Sequence, residues 1–217
     1  PILFFHNIAE FSIPVIQNLF GTWERVARII GASRDTFYDE WLEKSQKEIK
    51  PKKVSSGPIK EIREDNVSKL PIPKYFETDG GRYITSGIVV TKDPENPSIT
   101  NLSFARLQLK NLKKFGASFH SRGHTWRFLQ KAKSMKKPLE VAIFIGGHPI
   151  LYLAAASRSV NEYNLASGIL GSPLELVKCE TVDLEVPANA EIVIEGLVRP
   201  DIEENEGPFT EYTGYAT

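Results

Sequence analysis

RYITSGIVVTKDPENPSITNLSFARLQL, residues 82–109, is the stretch of sequence that decides the fold. Tyr83 to Thr91 is rich in β-branched residues, which favour strands, and the pattern stops at the proline-containing segment Lys92 to Pro97. From Leu102 to Leu109 apolar and polar residues alternate again, as they do in a half-buried strand. The two segments therefore predict an antiparallel pair of strands joined by a long turn.

Downstream of this pair the pattern stays mostly β. Short strands at this spacing must bury one face and hide their edges, so we expect a closed or half-closed barrel. Helical spacing predicts one helix at Thr125–Lys136, and Tyr163–Gly171 is interpreted as helical or irregular. The predicted strands are Val141–Ile145, Leu174–Cys179, Val182–Val186 and Glu191–Leu197.

Upstream of the pair the sequence predicts a small α/β layer. Ile2–Phe5 is an apolar run and is predicted to be a buried strand. Helical spacing of apolar residues predicts helices at Thr22–Gly31 and Asp35–Glu48. Residues 50–79 hold several prolines and scattered charges, which predicts a mostly irregular connection. The expected fold class is α+β.

Composition excludes several classes of protein. Lys plus Arg and Asp plus Glu both number 27, so the net charge is zero and no global field favours nucleic acid or an anionic membrane. Cys179 is the only cysteine of the 217 residues, which rules out an intramolecular disulfide. No secretory signal or membrane-length apolar run is visible, since the nearest candidate, Val141–Ala156, is broken at Gly146–Pro149. We therefore expect a cytoplasmic protein.

The segment Glu206-Gly207-Pro208-Phe209-Thr210-Glu211 places two carboxylates five positions apart around a Gly-Pro corner. Residues five apart do not share a helix face, and they point to opposite faces of a flat strand. Only a bend can aim both acids at one point, and Gly-Pro supplies one. Two acids that converge on a cleft indicate proton-transfer chemistry, whereas the alternative interpretation is a solvated acidic loop.

Arg106 lies in the middle of a predicted strand among apolar neighbours. An arginine in that place needs an anionic partner, because an unpaired buried charge is very costly. Glu206, Glu211 or the carboxylate of a ligand are candidates for a bidentate partner. The alternative is an arginine on an edge strand that extends into solvent.

Three possible metal ligands, Asn101, His124 and Glu162, lie between predicted elements rather than in their middles. An amide oxygen, an imidazole nitrogen and a carboxylate form a mixed, fairly hard ligand set. Such a set suits Mn²⁺ or Mg²⁺ better than structural zinc. Spacing alone does not single these residues out, since each type also occurs as an ordinary turn, capping or solvated residue.

Several separate motifs occur along the chain in the order found in one known family. On these motifs the chain resembles the UbiD-like decarboxylases, which use prenylated FMN. The motifs are Asn18–Gly21, Leu70–Pro73, Asp79–Thr85, Val90–Pro94, Pro173–Thr181, Val186–Ala188 and Glu206–Phe209.

This resemblance implies an N-terminal α/β region at residues 1–80 and a flavin-binding split β-barrel at residues 81–217. A further C-terminal domain is expected to be missing, and the barrel domain to be truncated, because the chain ends inside the barrel's active-site motif. The implied reaction is the reversible, non-oxidative decarboxylation of an aromatic or α,β-unsaturated carboxylic acid. Prenylated FMN accepts the electrons left when CO₂ departs, and the protein contributes orientation and proton transfer.

Family roles carry over to the residues that match the family's motifs. By resemblance, Asn101, His124 and Glu162 bind a Mn²⁺ ion that bridges the protein to the flavin phosphate, with a K⁺ nearby. The stretch from Ala156 to Glu162 is shorter than is usual in the family, which bears on the K⁺ site.

The resemblance also assigns three catalytic residues. Arg106 matches the arginine that pairs with Glu206 and orients the substrate carboxylate. Glu211 matches the proton donor. The chain departs from the common pattern around the substrate pocket, at Arg122, at His148 and at Lys74-Tyr75.

Expected partners follow from the same resemblance. They are a small carboxylic acid as substrate, a flavin prenyltransferase as cofactor supplier, and further copies of the chain, because relatives form homo-oligomers. Ubiquinone biosynthesis is the commonest association of the family, and a polyprenylated substrate would add a peripheral membrane contact. No nucleic acid partner is expected.

Two other classes of function stay open. One is a flavin-binding module that acts as a reductase or carrier without the acid chemistry. The other is a truncated, non-catalytic subunit. The presence of Arg106, Glu206 and Glu211 favours the decarboxylase over a bare flavin binder, which has no need of these three residues.

Overall fold

The computed structural model describes residues 1–8, 11–157, 159 and 161–216, which form a mixed α/β structure. The strands are β1 Leu3–Phe5, β2 Val15–Gln17, β3 Lys52–Val54, β4 Tyr83–Ile84, β5 Ile88–Lys92, β6 Thr100–Phe104, β7 Arg106–Asn111, β8 Lys114–Ser118, β9 Leu139–Ile145, β10 Glu175–Lys178, β11 Glu185–Pro187 and β12 Ile192–Val198. The helices are α1 Trp23–Ile29, α2 Phe37–Ser45, α3 His124–Ser134, α4 Ile150–Ala156 and α5 Glu162–Leu170, with short 3-10 turns at Pro58–Lys60 and Val67–Lys69.

The strands form four sheets. The largest is antiparallel, in the order β12-β9-β5-β6, and a second antiparallel sheet has the order β4-β7-β8. The third has the order β11-β10-β3, in which β3 pairs in parallel with β10, and β1 pairs with β2 alone. None of these sheets closes on itself within the residues described, so the closed barrel allowed by the sequence pattern is not found.

Residues 82–109 form the predicted antiparallel pair, but they contribute strands to two sheets rather than one. β5 pairs with β6 in the first sheet, and Val90 faces Leu102. β4, just before, pairs instead with β7 of the second sheet. β4 and β5 are separated by a short irregular segment that contains Gly87. A Cβ atom at this position would lie 2.6 Å from Cγ2 of Ile143, so a side chain would not fit there. The buried Ala105 marks the corresponding passage from β6 to β7.

Two apolar cores lie on opposite faces of the large sheet. The residues between the large sheet and the β4-β7-β8 sheet are Ile72, Ile84, Val89, Ala105, Leu107, Val141 and Ile143. On the other face, Val90, Leu102 and Phe144 pack with helical residues that include Ala27 of α1 and Ala166 of α5. Residues from before and after position 80 therefore share one core. The division of the chain at residue 80 stays a prediction.

Two helices begin at residues that the sequence indicated as metal ligands. α3 begins at His124, and α5 begins at Glu162, where the side chain of Asn161 accepts a hydrogen bond from the N–H of Asn164 at 3.1 Å. α5 ends at Leu170 and is capped by Gly171, whose φ of 72° is the left-handed conformation that glycine adopts without strain. These starts bring both side chains to the end of the helix nearest β6.

Some elements differ from the sequence-based expectation. Leu3–Phe5 is a strand, but its side chains are exposed rather than buried. Helix α4 was not predicted, because its uniformly apolar sequence has no helical period to detect. Among the described residues, no helix has both the length and the apolar character needed to cross a bilayer.

Phe144 tests how far stability depends on the large sheet. This side chain is fully buried on β9, an internal strand, so Phe144→Ala should lower the free energy of unfolding by about 3 to 5 kcal/mol. Leu197→Ala, on the neighbouring β12 where the side chain is 58% exposed, should cost less than about 1 kcal/mol. Urea unfolding followed by circular dichroism measures both, and equal losses would contradict this description of the core.

Candidate active site

Arg106, at the start of β7, pairs with both acids of the 206–211 segment. Its Nε donates a hydrogen bond to Oε2 of Glu206 at 3.0 Å, and its Nη2 lies 2.9 Å from the same oxygen. Nη1 lies 3.5 Å from Oε1 of Glu211. The alternative of an arginine that extends alone into solvent is therefore wrong, and the three predicted catalytic residues form one cluster.

The two glutamates of this cluster differ in exposure. The Glu206 side chain is 10% exposed, and its Oε1 is buried without a hydrogen-bond partner among the described residues. Glu211 is 46% exposed, so it faces the open side of the cluster. An acceptor that is buried and unsatisfied marks a place where a ligand or water belongs.

Phe209 and Tyr83 form the apolar wall of the cluster. The guanidinium of Arg106 lies 5.3 Å from the centre of the Phe209 ring, within the range of a cation–π contact. The rings of Tyr83 and Phe209 pack edge to face, with a centroid distance of 4.8 Å. Burial, and next the charge of Glu206, raise the pKa of the Tyr83 hydroxyl, which keeps this residue neutral.

The corner between the two acids docks against the segment Thr78–Tyr83. Gly207 has a φ of 110° and precedes a cis peptide bond to Pro208. The carbonyl of Pro208 accepts hydrogen bonds from the N–H of Gly80 at 2.6 Å and from the hydroxyl of Tyr83 at 3.2 Å. The bend that the Gly-Pro corner predicted is thus present, and it is held by a second segment of chain.

Sequence reasoning missed the role of Asp79, which is buried beneath this corner. Its Oδ1 accepts a hydrogen bond from the N–H of Thr210 at 2.8 Å, and its Oδ2 accepts from the N–H groups of Tyr75 and Phe76. The available signal was an aspartate directly before Gly80-Gly81, since Asp commonly caps turns through backbone N–H groups. That signal gives no hint that Thr210, far along the chain, is one of the donors.

Asn101 and His124 form a second cluster at the start of β6. The buried Asn101 donates from Nδ2 to Oγ1 of Thr125 at 3.1 Å, and its Oδ1 lies 3.1 Å from Nδ1 of His124. The Thr125 bond fixes the amide so that its oxygen faces the imidazole. Thr91, the cross-strand neighbour of Asn101, has a buried hydroxyl without a hydrogen-bond partner among the described residues.

Glu162 approaches the same strand from α5. Its side chain is buried, and its Oε2 accepts a hydrogen bond from the N–H of Leu102 at 3.3 Å, one residue after Asn101. Burial raises the pKa of Glu162 to about 7, and its backbone hydrogen bonds oppose the shift without cancelling it. A bound cation would stabilise the charged form of this buried carboxylate.

The donor chemistry of the second cluster fits a hard divalent ion. It offers an amide oxygen, an imidazole nitrogen and a carboxylate, with an unsatisfied hydroxyl beside them. No group of three or more His, Cys, Asp or Glu side chains within the described ranges is arranged to hold a metal. The predicted set contains only two residues of those types, so Mn²⁺ binding stays a prediction. The K⁺ expectation concerns the stretch from Ala156 to Glu162, of which residues 158 and 160 lie outside the described residues.

Glu162 should make the stability of the metal-free protein fall as the pH rises. The folded state holds the Glu162 proton up to a pKa of about 7, whereas the unfolded chain releases it near 4.5, so the folded state binds more protons between these values. Relative to Glu162→Gln, the wild type should lose about 2 to 3 kcal/mol of unfolding free energy between roughly pH 5 and pH 8. Urea unfolding at the two pH values measures this difference.

The matched control is Glu175→Gln, which removes a negative charge at the protein surface. If the free energy of unfolding changes with pH in the same way in the wild type and in Glu162→Gln, the buried Glu162 carboxyl group does not lower stability as the pH rises.

Comparisons with known proteins agree with one another. The family model described as the 3-octaprenyl-4-hydroxybenzoate carboxy-lyase Rift-related domain matches residues 50–217, and the model of the N-terminal domain of the same carboxy-lyase matches residues 1–45. Two structures of the UbiD-class enzyme HmfF from Pelotomaculum thermopropionicum, one with FMN and one an evolved dimeric form with prFMN, superpose with TM-scores of 0.94 and 0.93. They are 37% and 38% identical, and the match covers 100% of this chain and 50% and 52% of theirs.

Two curated relatives are decarboxylases. The anhydromevalonate phosphate decarboxylase of Methanothermobacter thermautotrophicus is 33% identical over 95% of this chain and 49% of its own length. The phenolic acid decarboxylase of Sedimentibacter hydroxybenzoicus is 31% identical over 99% of this chain and 48% of its own length. The chain thus spans about half the length of the curated relatives it matches. Because the family models cover both parts of the sequence, the chain belongs to the UbiD family of carboxy-lyases.

Proposed function

We propose that this chain takes part in the reversible, non-oxidative decarboxylation of an aromatic or α,β-unsaturated carboxylic acid, with prenylated FMN as cofactor. The observation that carries the proposal is the placement of Arg106 between two glutamates of unequal exposure. A flavin-binding module or a non-catalytic subunit has no need for an acid on each side of one arginine. The decarboxylase relatives and the flavin-bound neighbours support the same assignment.

Arg106 is the residue that would bind the substrate carboxylate. Oε2 of Glu206 contacts both Nε and Nη2 of Arg106, and these two contacts hold one edge of the guanidinium group in place. Its contact with Glu211 is longer, at 3.5 Å, and a substrate carboxylate would bind the guanidinium on this side. The Phe209 ring lies against the Arg106 guanidinium group, and this apolar surface favours a substrate with a flat, apolar body.

Glu211 would supply the proton. Prenylated FMN, when bound, would supply the electron-accepting system for the electron pair that is left when the bond between the substrate carbon and CO₂ breaks. The protonated carboxyl group of Glu211 then gives its proton to the carbon that lost CO₂, and the resulting carboxylate takes a proton from water. Glu206 stays paired with Arg106 and holds it in place during both steps.

The second cluster would hold the phosphate end of the flavin through Mn²⁺. Asn101 and Arg106 are five residues apart in one run of extended chain, a span of at most roughly 17 Å. That distance is comparable to the length of a flavin mononucleotide from its phosphate to its ring. The proposed ligands are Asn101, His124 and Glu162, and the ion that they hold would offset the negative charge of the phosphate.

The two sheets that enclose the smaller core are, in this proposal, the halves of a split flavin-binding barrel. A groove of about 1870 Å³ is lined in part by Leu107, Phe115, Val141 and Ile194 of these sheets, but none of the six candidate site residues lines it, so it does not mark the proposed flavin position. The further expectations are a flavin prenyltransferase as cofactor supplier and a homo-oligomer. The evolved dimeric form among the structural neighbours is consistent with self-association.

Glu211→Gln tests the proton donor. The variant keeps the size of the side chain but has no acidic proton, so turnover should fall by at least about 100-fold while flavin binding stays close to wild type. The protein is produced together with a flavin prenyltransferase, its flavin content is read from the absorbance spectrum, and CO₂ release is measured with a panel of aryl and acrylic acids.

Glu203→Gln is the matched control, since Glu203 lies in the same acidic stretch but is almost fully exposed. Loss of flavin in Glu211→Gln would count against the assignment of Glu211 as donor. Unchanged CO₂ release in that variant would refute the assignment.

His124→Gln tests the proposed metal site. Mn²⁺ should raise the melting temperature of the wild type in proportion to RT ln(1 + [Mn²⁺]/Kd), and the variant should lose most of that rise because one of three ligands is gone. His120→Gln alters an exposed histidine four residues earlier and is the control. Equal shifts in all three proteins, measured by differential scanning fluorimetry with and without FMN, would place the ion elsewhere.

A further inference from the structure

Asp79 is hydrogen-bonded to the segment that contains the Gly207-Pro208 corner, between Glu206 and Glu211. It is only 4% exposed, and its two oxygens accept three backbone hydrogen bonds: Oδ2 from Tyr75 and Phe76, at 3.2 and 3.0 Å, and Oδ1 from Thr210, at 2.8 Å. The first two bonds fix the carboxylate within its own turn. The third ties that turn to a residue 131 positions away along the chain.

Two further contacts act on the same corner. The hydroxyl groups of Thr78 and Thr210 lie 2.6 Å apart, and the N–H of Gly80 donates to the carbonyl of Pro208 at 2.6 Å. Segment 78–80 thus holds residues 208 and 210, which lie between the two glutamates. The glutamates themselves are left free to turn their side chains toward Arg106.

We propose that Asp79 is a positioning residue, which fixes the place of Glu211 relative to Arg106 through the main chain of Thr210. This inference rests on the proposed function, because it assigns Asp79 to the proton-transfer step of that reaction. Thr210 is the residue directly before Glu211, so a shift of the Thr210 N–H moves the Cα of the proton donor with it. Asp79 contacts no reacting group in this arrangement, and it acts through the loop.

The electrostatics of Asp79 agree with this role. Burial on its own would raise the pKa of Asp79, but the N–H donors of Thr210, Phe76 and Tyr75 outweigh burial and hold the pKa below its ordinary value. The carboxylate is therefore charged, and charged acceptors make the stronger hydrogen bonds to backbone N–H groups. In Asp79→Asn, one of the two oxygens becomes an NH₂ group that faces an N–H donor, so at least one of the three bonds is lost.

Hydrogen–deuterium exchange tests the anchoring directly and needs no substrate. In the wild type the Thr210 amide is buried and hydrogen-bonded, so it should exchange slowly. In Asp79→Asn it should exchange at least about tenfold faster, together with the neighbouring amides of the 206–211 segment. Unchanged protection of Thr210 would overturn the proposal.

Kinetics tests the consequence for catalysis. With an acid from the aryl and acrylic panel that the wild type decarboxylates, Asp79→Asn should lower kcat by about 10- to 100-fold, because the donor is misplaced, with a much smaller change in KM. The solvent deuterium isotope effect on kcat should rise, since proton donation then limits the rate. A variant that merely contains less folded protein would lose kcat without any change in the isotope effect.

Asp93→Asn is the matched control. Asp93 is equally buried and also accepts a backbone N–H, from Glu95, but it lies in the turn between β5 and β6, where its side chain pairs with Lys131 of α3. Asp93→Asn should lower the free energy of unfolding by an amount similar to that of Asp79→Asn. It should leave the protection of the Thr210 amide and the isotope effect at wild-type values. Wild-type kcat and isotope effect in Asp79→Asn, despite lost protection, would overturn the proposal.

Thr78→Val covers the case in which Asp79→Asn does not fold. Thr78 is exposed, and its hydroxyl is the other side-chain contact to Thr210, so this variant should show smaller changes of the same sign. Wild-type exchange of the Thr210 amide, together with wild-type kcat and isotope effect, would then overturn the proposal. If the wild type decarboxylates no acid in the panel, the proposed function fails, whereas the protection of Thr210 still decides whether Asp79 anchors the loop.

Discussion

One run of extended chain links the two clusters of candidate site residues. β6 and β7 are separated only by Ala105, and at that residue the chain leaves the large sheet and enters the smaller one. Asn101 lies at the start of this run and Arg106 just past the crossing point. Because backbone hydrogen bonds fix both strands, the spacing between the two clusters is a property of the sheets and not of flexible loops.

Both clusters contain buried polar groups that the described part of the protein leaves unsatisfied. Oε1 of Glu206 and the hydroxyl of Thr91 have no hydrogen-bond partner there. Each of these groups lowers stability by a noticeable amount, since an unmet buried donor or acceptor typically costs about 1 to 3 kcal/mol. Two side-chain nitrogens of Arg25, in α1, are also buried without a hydrogen-bond partner among the described residues, so such groups are not confined to the two clusters.

Local patterns predicted most of the elements but not how the sheets share them. β-branched runs and helical spacing indicated β5, β6, α1, α2 and α3 close to their observed places, because each depends on a period of a few residues. The division of the 82–109 stretch between two sheets depends on the close approach of Gly87 to Ile143, a contact between residues far apart in sequence. Likewise, charge and burial indicated an anionic partner for Arg106 but left Glu206, Glu211 and a ligand open, and only the family resemblance implied Glu206. The hydrogen bond from Thr210 to Asp79 has no local signature.

The approach of Gly80 to Gly207 has a consequence for how this site can vary. A Cβ atom at position 80 would lie 2.2 Å from the carbonyl oxygen of Gly207, so the two main chains touch without any intervening side chain. Even an alanine there would act as a wedge and lift the whole corner, carrying both acids outward by a fraction of an ångström or more. The close packing of Gly80 against Gly207 therefore limits where Glu211, the proposed proton donor, can lie, and a scan of charged residues alone would miss position 80.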